Sequence, residues 1–183
     1  MDAGRRTLPP LWVLAAVAAS VSVVLGALSS DDSPAFDVTA LPLTVVFAGC
    51  GLAYVAVGSL VARRAGGHPV GWLILTAGSL YLVGLAAGTF GEWWAGAGHL
   101  DTWSAIGSWA HDWTWELAAA AAVAALALFP NRRPDTRLGR ALLVVIATYS
   151  AVQLLAITVA PGPLVDGAHL DNPFGIAAVG AVP

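Results

Sequence analysis

The sequence predicts an all-α protein, a polytopic bundle of transmembrane helices, and three observations carry that prediction. Charged residues make up only 10% of the 183 residues, whereas a typical soluble domain carries about 25%. Apolar runs alternate with short polar segments, and the runs approach the roughly 20 residues that a membrane-spanning helix needs. All eight basic residues are arginines, and they fall in alternate connecting segments. We therefore expect a single integral membrane domain over residues 1–183.

Five apolar runs are predicted to cross the membrane completely, and a sixth begins near the end of the sequence. This last run is too short for the roughly 20 residues that a crossing requires, so we expect Pro183 to lie inside a sixth span. The predicted spans are residues 11–28, 41–62, 70–90, 113–129 and 141–160, followed by the incomplete 174–183.

The first run follows a basic head that contains Arg5 and Arg6, and two interpretations of it stay open. It is either a retained span or a secretory signal peptide, with Ala27 and Ser29 as the small residues before a cleavage point. Its length favours a retained span, because the apolar core of a signal peptide usually has about 7–15 residues. Both interpretations have the chain cross the membrane here in the same direction.

Proline, arginine and glycine mark the second and third runs. Pro42 lies in the first turn of the second run, where its missing N–H is harmless. Arg63 and Arg64 end that run. In the third run, Gly84 and Gly88 form a GxxxG pattern that would let another helix approach closely.

The longest predicted connection, residues 91–112, is rich in tryptophan and polar residues. Trp103, Ile106, Trp109 and Trp113 recur at about helical spacing. This pattern predicts a short amphipathic helix in the membrane interface, with its indole rings at the level of the lipid headgroups.

The fourth and fifth runs each contain one strongly polar residue. The fourth run is slightly short for a bilayer, so its helix is expected to begin a few residues earlier. Glu116 lies within it, and both a functional role and a structural role near the helix N-terminus stay open. Gln153 in the fifth run is expected to make a helix–helix hydrogen bond rather than a transport site.

The arginines predict the orientation of the chain. They occur in the head, in the turn at 63–64 and in the turn at 130–140, whereas the loops at 29–40, 91–112 and 161–173 contain none. By the positive-inside rule, the N-terminus is cytoplasmic and the protein is a multi-pass protein of the cytoplasmic membrane. The same turns could also bind anionic lipid headgroups. The predicted inner anchors are Arg5, Arg6, Arg63, Arg64, Arg132, Arg133, Arg137 and Arg140.

Histidine and carboxylate side chains on the predicted outer side are candidates for sensing. Both are competent metal ligands, and histidine titrates near pH 6.5, so a metal or proton sensor is one hypothesis. The spacing favours ordinary loop polarity instead, because no HxxxH or HExxH pattern is present. We predict no metal ion and no cofactor. The candidates are His99, Asp101, His111, Asp112 and Glu116, with Glu92 beside them.

Three short turn motifs occur in order at the ends of the predicted spans. The first, His68-Pro69-Val70-Gly71-Trp72, opens the third span. The second, Leu128-Phe129-Pro130-Asn131-Arg132-Arg133-Pro134, closes the fourth. The third, Asn172-Pro173-Phe174-Gly175, opens the sixth. Together they resemble the N-terminal membrane region of actinobacterial sensor histidine kinases. The residues that carry the resemblance are His68, Pro69, Gly71, Trp72, Phe129, Pro130, Asn172, Pro173 and Gly175.

This resemblance implies a sensory input region for signal transduction across the membrane. It implies a homodimer with a response regulator as downstream partner, and a kinase core beyond these residues, so that the chain itself is no enzyme. The rival interpretation is a stand-alone membrane protein such as a transporter or permease subunit. A transporter would need polar groups near the midplane, and only Gln153 qualifies, so we rank it second. The lipid bilayer is the one partner expected from composition, and no nucleic-acid module is visible.

Overall fold

The computed structural model of the chain describes residues 3–29, 40–66, 68–129, 133–134, 136–164 and 170–176. Over these residues the fold is all-α, as predicted, and β-structure is limited to a single bridge between Pro163 and Asp171. The helices are α1 Ala3–Ser29, α2 Ala40–Arg64, α3 Pro69–Gly96, α4 Thr102–Leu128 and α5 Arg137–Val159.

Within the described residues, four helical segments are long and apolar enough to cross a membrane, namely Pro10–Ser29, Leu41–Arg64, Pro69–Gly96 and Arg137–Val159. These segments indicate that the chain is a membrane protein. The α4 helix is not among them, because its first half carries His111, Asp112 and Glu116. Of the predicted features, Pro130, Arg132 and most of the incomplete sixth span, residues 177–183, lie outside the described residues.

Successive helices run antiparallel, so the bundle has two ends with different chemistry. Between α1 and α2, for instance, a Cβ on Gly26 would lie 3.5 Å from Thr44. The Trp-rich end comprises the ends of α1, α3 and α5 and the beginnings of α2 and α4. The arginine end is opposite. The arginine side chains that the structure describes at this end are all exposed. They are Arg63, Arg64, Arg133, Arg137 and Arg140.

Small residues let α1, α2 and α3 pack closely around one core. Alanines of α1 meet Val55 of α2 and Leu75 and Leu82 of α3, which are fully buried. At the α2–α3 crossing, a Cβ on Gly58 would lie 2.7 Å from Leu75 Cα, and a Cβ on Gly71 would lie 2.8 Å from Ala62 Cα. The two backbones are therefore in direct contact, an approach that only glycine permits.

The α4 helix begins at Thr102, so the prediction of a separate interfacial helix before the fourth span is wrong. Trp103, Trp109 and Trp113 all lie on α4 itself. The cause is tertiary packing. The α3 helix continues to Gly96, and a Cβ on Gly91 would lie 2.8 Å from the Ser104 carbonyl oxygen. The predicted early start of the fourth helix is confirmed, by a wider margin than expected.

Two predictions about contacts within the spans have opposite outcomes. The Gly84–Gly88 pattern does admit a helix, because Cβ atoms at these positions would meet Thr114 and His111 of α4. The predicted helix–helix hydrogen bond of Gln153 is wrong. Its Nε2 donates to the hydroxyl oxygen of Tyr149, 3.2 Å away and one turn earlier on α5, so this hydrogen bond lies within one helix.

Candidate functional site

His111 lies in a notch that α3 forms with its glycines. A Cβ on Gly88 would come within 2.9 Å of the His111 Nδ1, so only glycine leaves room for the ring. Nδ1 lies 2.9 Å from the carbonyl oxygen of Gly84. Because a carbonyl oxygen only accepts, Nδ1 carries the hydrogen and donates it to Gly84.

The His111 ring also packs in a row of aromatic side chains. Its centroid lies 6.4 Å from that of Trp115 at an interplanar angle of 22°, so the two residues share a face of α4. Trp115 in turn contacts Tyr81 of α3, with ring centroids 5.5 Å apart. The imidazole is therefore oriented by a hydrogen bond and by stacking at once.

A cavity of about 320 Å³ opens beside His111, between α2, α3 and α4 at the Trp-rich end. Thr89 is one of its walls, and its hydroxyl donates to the carbonyl oxygen of Leu85 at 2.8 Å. The remaining walls combine apolar side chains with hydroxyl, carboxylate and imidazole groups. The lining residues are Leu43, Thr44, Phe47, Leu85, Gly88, Thr89, Glu92, Ser108 and His111.

Asp101 has a structural task in the turn between α3 and α4. Its carboxylate accepts from the backbone N–H of Trp103 at 2.9 Å and from the indole N–H of Trp94 at 3.1 Å. Ser104 completes a capping box, which satisfies backbone groups at the start of α4. The hydrogen bond from Trp94 foremost, and those from the helix N-terminus, lower the pKa of Asp101. The carboxylate therefore stays ionised to a lower pH than an ordinary aspartate does.

His99 belongs to the same turn and is held by its neighbour. Its ring stacks on Trp94, with centroids 4.4 Å apart and an interplanar angle of 21°. Trp94 thus touches both candidate residues of the turn, one through its face and one through its N–H. The turn is built around this indole.

Glu116 lies on the side of α4 that meets α5. Ser150 donates its hydroxyl to Glu116 Oε1 at 2.8 Å. One turn away, the indole of Trp113 donates to Thr158 Oγ1 at 2.9 Å. These two bonds join α4 to α5, so Glu116 contributes to helix association.

The Asn172 side chain closes the C-terminal end of α5. Its Nδ2 donates to the carbonyl oxygens of Ile157 at 2.7 Å and Ala160 at 2.8 Å, and its Oδ1 accepts from Phe174 N–H at 3.0 Å. The last carbonyl groups of a helix have no hydrogen-bond donor within the helix. The Asn172 amide provides that donor at the end of α5. Phe174 then packs edge-on against Trp109 of α4, with ring centroids 4.8 Å apart.

The five predicted sensing residues do not form one cluster. His99 and Asp101 lie in the turn, His111 faces α3, Glu116 faces α5, and Asp112 is half-buried on α4. No group of three metal-ligating side chains occurs among the described residues. The structure instead reveals a cavity at His111, to which Thr44, Thr89 and Ser108 contribute unpredicted hydroxyls. A usable signal was the continuation of the Gly84–Gly88 spacing to Gly91, which marks the face of α3 that meets α4.

The described residues of the three turn motifs lie at helix ends, where proline and glycine are ordinary punctuation. His68 caps α3, with its Nδ1 accepting from Val70 N–H at 3.2 Å. Phe129 follows α4, and Asn172 caps α5. No protein-family model, curated protein or solved structure matches the chain.

Proposed function

We propose that the chain is the membrane-embedded input region of a sensor histidine kinase, which acts as a homodimer and signals to a response regulator. The observation that carries the proposal is the placement of the three turn motifs. His68 and Asn172 each cap a helix through their side chains, and a Cβ on Gly175 would lie 2.9 Å from Pro161 Cα. The resemblance thus rests on residues with defined structural tasks at helix ends.

The proposal includes five complete spans and the beginning of a sixth, with α4 as the fourth span. The α4 helix lies along α3 over its whole length. Ser104 meets Gly91 near one end, and Phe129 and Val70 line a common groove at the other. A helix that accompanies a membrane-spanning partner from end to end crosses the same bilayer. Its polar first half is then accommodated by contacts with α3 and α5.

Signalling would use the position of α4 between two partners. His111 contacts α3 beside the cavity, whereas Trp113 and Glu116 bond to α5. A ligand that favours one arrangement of α3 and α4 would therefore also bias α5. Two-state shifts of this kind are an established way to carry a signal through packed helices.

The reading frame beyond codon 183 tests the proposed function directly. We expect it to encode the rest of a sixth span and then a phospho-acceptor histidine region and an ATP-binding lobe. Autophosphorylation of the purified full-length product should confirm the activity. A stop codon immediately after Pro183 would overturn the proposal in favour of a stand-alone membrane protein.

The orientation is tested by cysteine labelling in whole cells, on a background in which Cys50→Ala removes the single native cysteine. Leu100→Cys, at the Trp-rich end, should react with a membrane-impermeant maleimide from outside. Arg133→Cys, at the arginine end, should react only after the cells are permeabilised. The reverse pattern would show that the arginine end faces outward, against the positive-inside rule.

A further inference from the structure

We propose that the groove between α2, α3 and α4 at the arginine end binds an anionic phospholipid, with one acyl chain in the groove and the phosphate at the arginines beside it. The inference requires only that the chain spans a membrane, so it stands or falls independently of a kinase beyond residue 183. It follows from the apolar lining of the groove, its width and the positive charge at its end.

The groove is apolar and open to its surroundings. The helices α2 and α4 both pack on α3, and the groove lies between them with α3 as its floor. Its two outer residues on α4 are 74% and 70% exposed, so in a membrane they face hydrocarbon. An acyl chain would fill the groove by van der Waals contact. The floor is Val70 and Ile74, and the walls include Tyr54 and Val57 of α2 and Leu126 and Phe129 of α4.

The width of the groove favours a single hydrocarbon chain over a helix. Its lining on α4 extends from Ala122 to Phe129, about 10 Å along the helix axis. Over that length its volume of about 400 Å³ corresponds to a cross-section of about 40 Å². A helix with its side chains is about 10–12 Å across and needs about 80–110 Å². A further span, or a helix of a second copy, is therefore too wide to lie within the groove.

Positive charge lies at the end of the groove. Arg63 and Arg64 belong to the last turn of α2, and both are exposed. Arg64 lies seven residues beyond Val57, which is close to two full turns, so both are on the face of α2 that borders the groove. On the side of α4, the exposed Arg133 is four residues beyond Phe129, so their Cα atoms are at most about 14 Å apart.

Few carboxylates are available to neutralise these arginines. The sequence has no acidic residue between Asp37 and Glu92, or between Glu116 and Asp135. Residues 130–140 contain Asp135 but four arginines, so the connection after α4 also has a positive net charge. A guanidinium matches the geometry of a phosphate group, and arginines near a membrane surface attract anionic lipids. A lipid with its acyl chain in the groove would place its phosphate among them.

Photo-crosslinking of the full chain in phosphatidylcholine nanodiscs tests the inference. The probe is a phosphatidylglycerol with a diazirine on one acyl chain, and mass spectrometry identifies the labelled peptides. A phosphatidylcholine with the same diazirine is the zwitterionic control. Unlabelled phosphatidylglycerol and inorganic phosphate serve as competitors, which separates a lipid from a free phosphate.

Two pairs of variants divide the site into its charge and its groove. Arg63→Gln with Arg64→Gln removes the charge on α2, whereas Arg137→Gln with Arg140→Gln makes the same change on α5, none of whose described residues lines the groove. Ala53→Phe places a ring in the groove. Ala147→Phe is its matched control at an exposed position of α5. The charge variants leave the packing of the helices intact, so they test the site even if Ala53→Phe fails to fold.

We expect the phosphatidylglycerol probe to label the groove peptides of α2 and α4 saturably, and the phosphatidylcholine probe to label all lipid-facing peptides alike. Loss of the two α2 arginines should weaken competition by phosphatidylglycerol about tenfold or more, and loss of the two α5 arginines should leave it unchanged. Ala53→Phe should abolish labelling of the groove, and Ala147→Phe should not.

The inference would be overturned by labelling spread evenly over all exposed helices, or by equal effects of the two arginine pairs. Competition by inorganic phosphate would overturn it too, because the acyl chain would then contribute nothing. The same holds if the groove takes no label, as expected where another segment or a second copy covers it.

Discussion

Replacing Gly71 by alanine is expected to destabilise the bundle by about 1–3 kcal/mol, the usual cost of overpacking a close contact. The added Cβ would lie 2.8 Å from Ala62 Cα and closer still to the Ala62 nitrogen. These are backbone atoms of α2, so no side-chain rotamer relieves the clash and the helices must separate. The loss should outweigh the better helix propensity of alanine, about 1 kcal/mol. Unfolding in mixed detergent micelles, followed by tryptophan fluorescence, measures the change.

Gly49→Ala is the matched control, because a Cβ at Gly49 of α2 meets no atom within 4 Å. We expect it to be neutral or slightly stabilising. Gly58→Ala probes the same crossing from the other helix, since its Cβ would lie 2.7 Å from Leu75 Cα. Because either substitution already separates the helices, the double variant should lose less than the sum of the two. Equal stability of Gly71→Ala and Gly49→Ala would show that α2 and α3 do not cross at backbone contact.

Replacing Asn172 by alanine is expected to release the turn that follows α5. The substitution removes donations to the carbonyl oxygens of Ile157 and Ala160 and the acceptor for Phe174 N–H. With net values of about 0.5–1.5 kcal/mol for each of these hydrogen bonds, the loss should be roughly 1.5–4.5 kcal/mol. Hydrogen exchange should show the effect most clearly at the N–H groups of Gly175 and Ile176, which bond to carbonyls within the turn and at the end of α5.

Asn172→Asp separates the bonds that the side chain donates from the one that it accepts. Aspartate has nearly the same shape and keeps the acceptor for Phe174, but it cannot donate and it brings a negative charge to helix carbonyls. We therefore expect it to be at least as disruptive as alanine. Asp171→Asn is the control, because this exposed neighbour joins Pro163 in the isolated bridge and the change leaves the backbone intact. Wild-type exchange in Asn172→Asp would contradict the capping role.

The all-α fold was predictable because composition and run length are properties of single segments. The predicted spans 41–62 and 141–160 match α2 Ala40–Arg64 and α5 Arg137–Val159 within a few residues. The start of α4 was not predictable in this way. His111, Asp112 and the neighbouring tryptophans resemble a solvated connection until α3 is known to continue beside them. The first turns of α4 form against the surface of α3, and a pattern within one segment carries no information about that surface.

The candidate site was predicted only in its parts. His111 was singled out as a polar residue, and Gly84 and Gly88 as an approach point, without a link between them. The two glycines make room for the His111 ring, and this contact can be recognised only when α3 and α4 are known to pack together. Thr44 enters the cavity from α2, far away in sequence, so its contribution required the packing of three helices. The sensory role implied by the turn motifs stays a prediction.

The uneven polarity of α4 has a consequence for how the protein is made. A helix with Asp112 and Glu116 in its first half partitions poorly into lipid by itself, since a charged residue within a span opposes insertion. The highly apolar α3 precedes it, and the connection between Gly96 and Thr102 is short. If α4 is the fourth span, as we propose, the two should leave the translocon as one hairpin, with the hydrogen bond from His111 Nδ1 to the Gly84 carbonyl oxygen already formed. Biogenesis of α4 would then depend on α3, and the glycine notch would act during membrane insertion as well as in the finished fold.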